Sequence, residues 1–380
     1  MVKTMAEQNG ARVGVFICRC GGQIGLSLDM SSLEEHAHAG SDVVAVRTCD
    51  YLCHEEGRKM ITETIKSERL DRVVVAACSP KLYLETFQES VVQGGLNRNM
   101  IDMANIREQV AWVHQKDRAA ATSKAEDMMD MAIAKVRYHE PDDRGNISVV
   151  NKKRCTGCGI CESVCNVNAI TLSPDAEYGG KRRANVNAKA CVGCGACVSA
   201  CPTAAMDQTY FSNKQILAQI DTALAPKEDE VSSPKILVFS CNWCSYGSAD
   251  QAGLKRLDID PHFRTVRTMC SARVDPEWIL KALSMGADGI LILSGRPGRC
   301  HYDVGNIRTR KRMTLLKMVL KEYGFDENRF QIKFVDADQP EKYAETINEY
   351  VQIIKELGPN PIVPTSIVDP KRVELPYLNL

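Results

Sequence analysis

"CTGCGICESVC" (155–165) and "CVGCGACVSACP" (191–202) are one motif written twice, each with the spacing C-x-x-C-x-x-C-x-x-x-C. Eight thiols in two matched runs suit an inorganic core that needs four thiolates placed tetrahedrally around it. Gly157, Gly193 and Gly195 let the backbone wrap closely and aim amide donors at the sulfurs. A pair of zinc knuckles is the other reading of these residues alone. In both readings the block is loops wound around sulfur, so the rest of the fold is decided by what flanks it.

The same spacing is that of the bacterial ferredoxins, in which three cysteines of a run bind one cubane and the fourth ligates the other. The segment resembles a two-cluster ferredoxin. On that resemblance Cys155, Cys158, Cys161 and Cys201 hold one [4Fe-4S] cluster, and Cys191, Cys194, Cys197 and Cys165 hold the other. Asn166 stands where the second copy has Pro202, a departure that involves no ligand.

Outward from this block, the 380-residue chain carries 17 cysteines in three groups, between 18 and 78, between 155 and 201, and between 241 and 300. The opening "MVKTMAEQNG" has no apolar core, so no signal peptide is expected. No apolar run approaches the roughly 20 residues that span a bilayer. A cytoplasmic protein without membrane insertion is therefore expected, and in a reducing compartment dense cysteine points to metal rather than disulfides. Lys+Arg and Asp+Glu are each 48, giving zero net charge, so no nucleic acid is expected as a partner. The stretches "HEPDDRGN" (139–146) and "APKEDEVSSP" (225–234) are Pro- and charge-rich, as linkers tend to be. The expected domains are 1–140, 147–210 and 234–360, followed by a tail at 361–380.

In the first of these, "RVGVFIC" (12–18), "VVAVRTC" (43–49) and "RVVVAAC" (72–78) read as strands. Helical patterns follow at 31–39, about 55–67 and about 80–90, an alternation that predicts a parallel sheet in an α/β layer fold. Cys18 and Cys20, Cys49 and Cys53, and Cys78 fall at or just past the carboxyl ends of the strands, where such sheets bind ligands. Ser79 and Pro80 read as the N-cap and first residue of a helix whose dipole favours a thiolate at Cys78. Small buried cysteines filling a sheet edge, or a structural zinc, are the alternatives on the residues alone. The stretches "VGVFICRCGGQI", "DYLCHEEG", "VVVAACSP" and "MANIREQVAWVH" resemble the N-terminal domain of the A-type subunit of heterodisulfide reductase. That resemblance implies a third [4Fe-4S] cluster on Cys18, Cys20, Cys53 and Cys78, with Cys49 a spectator. The family's histidine after C-S-P has no counterpart in "CSPKLYLE". The full-length subunit continues into a flavin domain, but here no G-x-G-x-x-G turn follows a strand, and "VVQGGLNRN" (91–99) lacks the spacing. No flavin is expected.

The last block repeats the layered pattern. "KILVFSC" (235–241), "FRTVRTMC" (263–270), "GILILSG" (289–295) and "FQIKFVDA" (330–337) read as strands, with helices at about 275–285, 307–322 and 339–356. Asp275 with Pro276 marks a helix start, and Gly358 with Pro359 a stop. Cys241, Cys244, Cys270 and Cys300 again sit at strand ends. Strand–C-x-x-C–helix, as in "SCNWCS" (240–245), is also a thioredoxin-like dithiol pattern, which would leave Cys270 and Cys300 without a part. The stretches "CNWCSYGSAD", "RTMCSARVDPEWILKAL", "GADGILIL", "CHYDVGN" and "RKRMTLLK" resemble the delta subunit of methyl-viologen-reducing hydrogenase. That resemblance implies one [2Fe-2S] cluster on Cys241, Cys244, Cys270 and Cys300, although Gly295 stands where the family has a further cysteine. His301 suggests a Rieske ligand, but such sites need two histidines, so hydrogen bonding to a ligand is the simpler role. Arg308, Arg310, Lys311 and Arg312 read either as a solvated helix face or as a dock for an acidic partner. Met128, Met129 and Met131 read as core of a helix at about 117–138.

The expected architecture is thus two small parallel-sheet α/β domains flanking a ferredoxin-type 2[4Fe-4S] domain. No Ser/His/Asp set, carboxylate pair or phosphate loop stands out, so an electron carrier is expected rather than a stand-alone catalyst. Taken together, the three resemblances imply three [4Fe-4S] clusters, one [2Fe-2S] cluster and no flavin, as expected of a subunit of an anaerobic heterodisulfide-reductase-like complex. Its partners would be a dehydrogenase or hydrogenase on one side and a flavin- or metal-bearing subunit on the other. The competing expectation is a redox enzyme acting through a substrate-facing cluster or the Cys241/Cys244 dithiol.

Overall fold

A computed structural model describes residues 10–226 and 234–361 of the chain. Most of the expected second linker and of the expected tail therefore lie outside the described residues. The chain forms two compact units: one comprises the residues up to Asp143 with Lys214–Ala223 and Ala249–Arg264, the other Arg144–Asn213, Leu224–Ser248 and the residues from Thr265 onward.

The first unit is a layered α/β structure: β1 (Val13–Cys18), α1 (Met30–Ala39), β2 (Val43–Cys49), α2 (Glu55–Ser67), β3 (Arg72–Ala77), α3 (Pro80–Gln93), β4 (Ile101–Asn105) and α4 (Arg118–Val136). Its four-stranded sheet has the order β2-β1-β3-β4 and is parallel, with Cys18 opposite Cys49 in register. Every residue of β1 is buried, as a strand covered on both faces requires. Ser79 caps α3 as read, accepting from the Lys81 amide, and Asp29 caps α1. Met128, Met129 and Met131 lie in the core beneath the sheet. The strand β4 escaped the sequence because Asp102 and Asn105 interrupt its apolar run. Both polar side chains are buried, and Asp102 is paired with Lys135 at 2.9 Å. The division between the two units falls within "HEPDDRGN", where Glu140, Pro141, Asp143 and Arg144 are exposed; its first residue, His139, is buried with Nδ1 2.8 Å from the Asn99 carbonyl.

The second unit opens with two small antiparallel pairs, β5 (Ser148–Val150) with β8 (Met206–Gln208) and β6 (Ile170–Asp175) with β7 (Lys181–Val186). Between β5 and β6 lies one short helix, α5 (Ile160–Ser163). After α6 (Asn213–Ala223) come β9 (Ile236–Cys241), α7 (Ser245–Leu254), β10 (Arg264–Thr268), α8 (Pro276–Ser284), β11 (Gly289–Ser294), α9 (Gly305–Glu322), β12 (Phe330–Phe334) and α10 (Pro340–Leu357). The second sheet has the order β10-β9-β11-β12, with β11 parallel to both β9 and β12. β9 and β11 are buried throughout. Asp275 caps α8 ahead of Pro276, and Gly358 ends α10 at positive φ, as read. Among the described residues no helix is long and apolar enough to cross a membrane.

Candidate metal centres

The ferredoxin loops bring the two expected thiol sets together across the motif copies. Cys155, Cys158, Cys161 and Cys201 line one cavity, closed by Leu172, Ala184, Pro202 and Met206. Its amide donors come from β7 and the loop before β8: Ala184 N–H points at Cys155 Sγ at 3.5 Å and Ala205 N–H at Cys201 Sγ at 3.3 Å. Gly157 sits at φ +73 with the Arg182 carbonyl where a Cβ would stand, so no other residue fits this turn unstrained. Around the second set, Ser148 N–H lies 3.4 Å from Cys191 Sγ, its hydroxyl 3.1 Å from Cys197 Sγ, and Ala169 N–H 3.2 Å from Cys165 Sγ. Burial pushes the Cys161 thiol up to about 11 and Cys197 to about 12, and raises Cys194 as well. Such thiols give up their protons to a metal rather than to water. Four sulfurs around one hollow, with amides aimed at them, fit a [4Fe-4S] group.

At the C-terminal sheet, Cys241 ends β9, Cys244 precedes α7, Cys270 follows β10 and Cys300 lies in the loop after β11. The Cys241 and Cys244 sulfurs are 3.9 Å apart. Two thiolates on one tetrahedral metal at about 2.3 Å stand about 3.8 Å apart, so this pair fits a shared iron. Hydrogen bonds from the Cys244 and Cys270 thiols hold Cys241 well below the ordinary cysteine range, and the Cys270 thiol likewise brings Cys300 down to about 6. Gly295 and Gly305 leave the sulfurs their room: a Cβ would press on Cys244 Sγ at the first and on Cys270 Sγ at the second. Gly295, standing for the family's further cysteine, therefore borders the site itself. The His301 ring is stacked on Trp243 at 3.9 Å, a packing role the sequence did not suggest. The basic run divides. Arg308 donates to the Val164 carbonyl and Arg312 to the Ala272 and Val274 carbonyls, so neither belongs to a free face.

In the first unit Cys18, Cys20, Cys53 and Cys78 lie at or past the strand ends, with Arg107 Nη1 3.0 Å from Cys20 Sγ and its charge acting on Cys78 as well. A hydrogen bond from the Cys18 thiol, and then the Arg107 guanidinium, bring Cys20 down to about 6. Burial instead pushes Cys78 up to about 12. Arg107 is anchored by Glu108 at 2.5 Å, and Glu108, 1% exposed, also accepts from the Ser79 amide at 2.9 Å. Ser79 in turn donates to Asp250 at 2.6 Å. Neither Arg107 nor Glu108 was singled out in the sequence. Their signal was present in "MANIREQVAWVH", but a charged pair inside a turn of π-helix reads as surface. Cys49 packs against the core beside Cys18. Among the described residues no three Cys, His, Asp or Glu side chains gather tightly enough for a single metal ion. A polynuclear cluster spreads its thiolates over several irons and does not need such a knot.

The geometry defines an iron–sulfur class of protein, with thiols presented on ferredoxin loops and on strand ends. Residues 154–205 match the 4Fe-4S dicluster domain family, and residues 236–358 match the family described as methyl-viologen-reducing hydrogenase, delta subunit. The D-type iron-sulfur subunit of the F420-non-reducing vhc hydrogenase of Methanococcus voltae is 43% identical over 126 residues, covering 33% of this chain and 88% of that protein. The corresponding D-type subunit of the F420-non-reducing hydrogenase of Archaeoglobus profundus is 39% identical over 126 residues, 92% of its length. Through this C-terminal third the chain belongs to the hydrogenase delta-subunit family. The A-type subunit of the ferredoxin:CoB-CoM heterodisulfide reductase of Methanosarcina mazei is 43% identical over 210 residues, 55% of this chain. The chain spans about a quarter of that relative's length.

Proposed function

We propose that the chain is a flavin-free electron-transfer subunit of a heterodisulfide-reductase-like complex. It would relay electrons between a partner hydrogenase or dehydrogenase and a flavin- or metal-bearing subunit. The observation that supports this most is the gathering of four thiol sets, each with its own amide or cationic donors, in a chain similar to subunits of both kinds of complex. The ligand sets would be Cys155, Cys158, Cys161 and Cys201; Cys165, Cys191, Cys194 and Cys197; Cys18, Cys20, Cys53 and Cys78, each for a [4Fe-4S] cluster; and Cys241, Cys244, Cys270 and Cys300 for a [2Fe-2S] cluster. When bound, such clusters take up and release single electrons without a change of bonding. The chain's own residues do the rest: they bury or half-bury every ligand cysteine but Cys158, supply N–H donors to the sulfurs, and at Cys20 add a guanidinium that favours negative charge.

This reading requires about fourteen iron and fourteen acid-labile sulfide per chain. Anaerobically purified protein that is colourless, or that carries zinc in place of iron, overturns it. The 3.9 Å separation of Cys241 and Cys244 also suits a dithiol reductase. Assay of the isolated chain separates the two readings, because a relay reduces dyes only with its partner subunits present, whereas a reductase turns over a disulfide substrate alone.

A further inference from the structure

Tyr302 joins the stretches of chain that carry two of the thiol sets, and both sets lie in the second unit. Its hydroxyl accepts from Trp243 Nε1 at 2.9 Å and donates to the Val192 carbonyl at 3.3 Å, between Cys191 and Cys194. Its own carbonyl accepts from Asn166 Nδ2 at 2.9 Å, next to Cys165. Its ring packs in one cluster with Cys194, Cys270 and Cys300. The loop that presents Cys300 is therefore fastened to both stretches of chain that carry the second ferredoxin set. Ser199 tightens the same seam, its hydroxyl donating to the Ala272 carbonyl at 2.5 Å, two residues past Cys270. The first ferredoxin set is placed differently: every residue lining its cavity comes from the ferredoxin segment, and Cys158 is exposed.

We propose that the site of Cys165, Cys191, Cys194 and Cys197 is the one with which the C-terminal cysteine site exchanges electrons, and that Tyr302 is the positioning residue holding the two in contact. With clusters bound, one electron would pass from the reduced centre to the oxidised one, with no bond formed or broken and no proton moved. The order along this unit is then C-terminal site, inner ferredoxin site, outer ferredoxin site. A claim of coupling between sites needs a direct measure of coupling, not adjacency alone. The inference rests on the proposed function in one respect, that both sites carry clusters.

Iron and sulfide analysis of the whole chain comes first, and a shortfall there sinks the cluster reading itself. With clusters present, the protein is reduced stepwise and followed by electron paramagnetic resonance. The expected result is a C-terminal signal that splits when the inner ferredoxin centre becomes paramagnetic. The splitting persists in Cys158→Ser, which disables the outer site, and disappears in Cys194→Ser, which disables the inner one. Tyr302→Leu loses or weakens the splitting, and Tyr302→Phe, which keeps the ring in the seam, restores it. Thermal unfolding of each variant shows that it is folded. An unsplit signal in the loaded wild-type protein, or splitting that depends on Cys158 rather than Cys194, overturns the order. Splitting unchanged in folded Tyr302→Leu overturns the role of Tyr302.

Discussion

At the scale of single residues, two buried groups carry consequences that can be measured. Arg107 satisfies Glu108 and Cys20 together, so removing it leaves a carboxylate that is 1% exposed without its cation. Breaking a buried pair from one side costs about 3 kcal/mol. Arg107→Met is expected to lower stability by that order in urea titration, and to slow alkylation of Cys20 at neutral pH in iron-free protein. His139 sets a pH dependence. Burial lowers its folded value to about 4, against 6.5 for the exposed side chain. Between those values the unfolded chain holds a proton that the folded chain does not, so stability is complete above about 6.5 and is lost as pH falls toward 4. The loss is on the order of 3 kcal/mol, and His114, lowered in the same way by burial, adds to it. The unfolding midpoint is expected to fall on acidification through this window, and less steeply in His139→Gln.

At the scale of elements, the ferredoxin turns separate conformational strain from close packing. Gly157 and Gly159 both have positive φ, but a Cβ at Gly157 would collide with the Arg182 carbonyl, whereas at Gly159 it meets nothing within 4 Å. The Arg182 carbonyl belongs to a strand paired with β6 and has little freedom to retreat. Gly159→Ala is expected to cost about 1 kcal/mol, and Gly157→Ala distinctly more, with loss of iron read from the visible spectrum. The elements also show what was legible in the sequence. Strands β1, β2, β3, β9, β10, β11 and β12 were visible as β-branched runs, and the caps at Ser79 and Asp275 as local chemistry. All eight ferredoxin thiols were visible because their spacing is local. β4 was hidden, since its polar residues are reconciled with burial only by partners distant in sequence. Arg107, Tyr302 and Trp243 were hidden for the same reason: their meaning comes from what the fold places opposite them. Arg308 and Arg312 looked like a surface run because sequence spacing alone does not show which cations a neighbouring loop covers.

At the scale of the molecule, cluster binding and folding should be one equilibrium in the second unit. Its antiparallel pairs β5–β8 and β6–β7 are short, and several of its buried side chains are the cysteines themselves. A group bound only by the folded state stabilises it by mass action, and the thiols whose protons burial holds release them when metal binds. Chelation of iron under reducing conditions is expected to lower the unfolding midpoint of the whole chain by several degrees. Unchanged melting after iron removal would show that the loops fold independently of what they hold.

Gly305 does more than make room for sulfur. It opens α9, a helix of 18 residues, so the N-terminal end of that helix lies against Cys270 and Cys300, and the Asn306 N–H favours the charged form of Cys300. The positive end of a helix is worth about half an elementary charge. An added electron at this corner of the molecule therefore settles against a built-in attraction. Under mildly reducing conditions a cluster held there should be among the earliest in the chain to fill, so that electrons arriving from elsewhere collect at it.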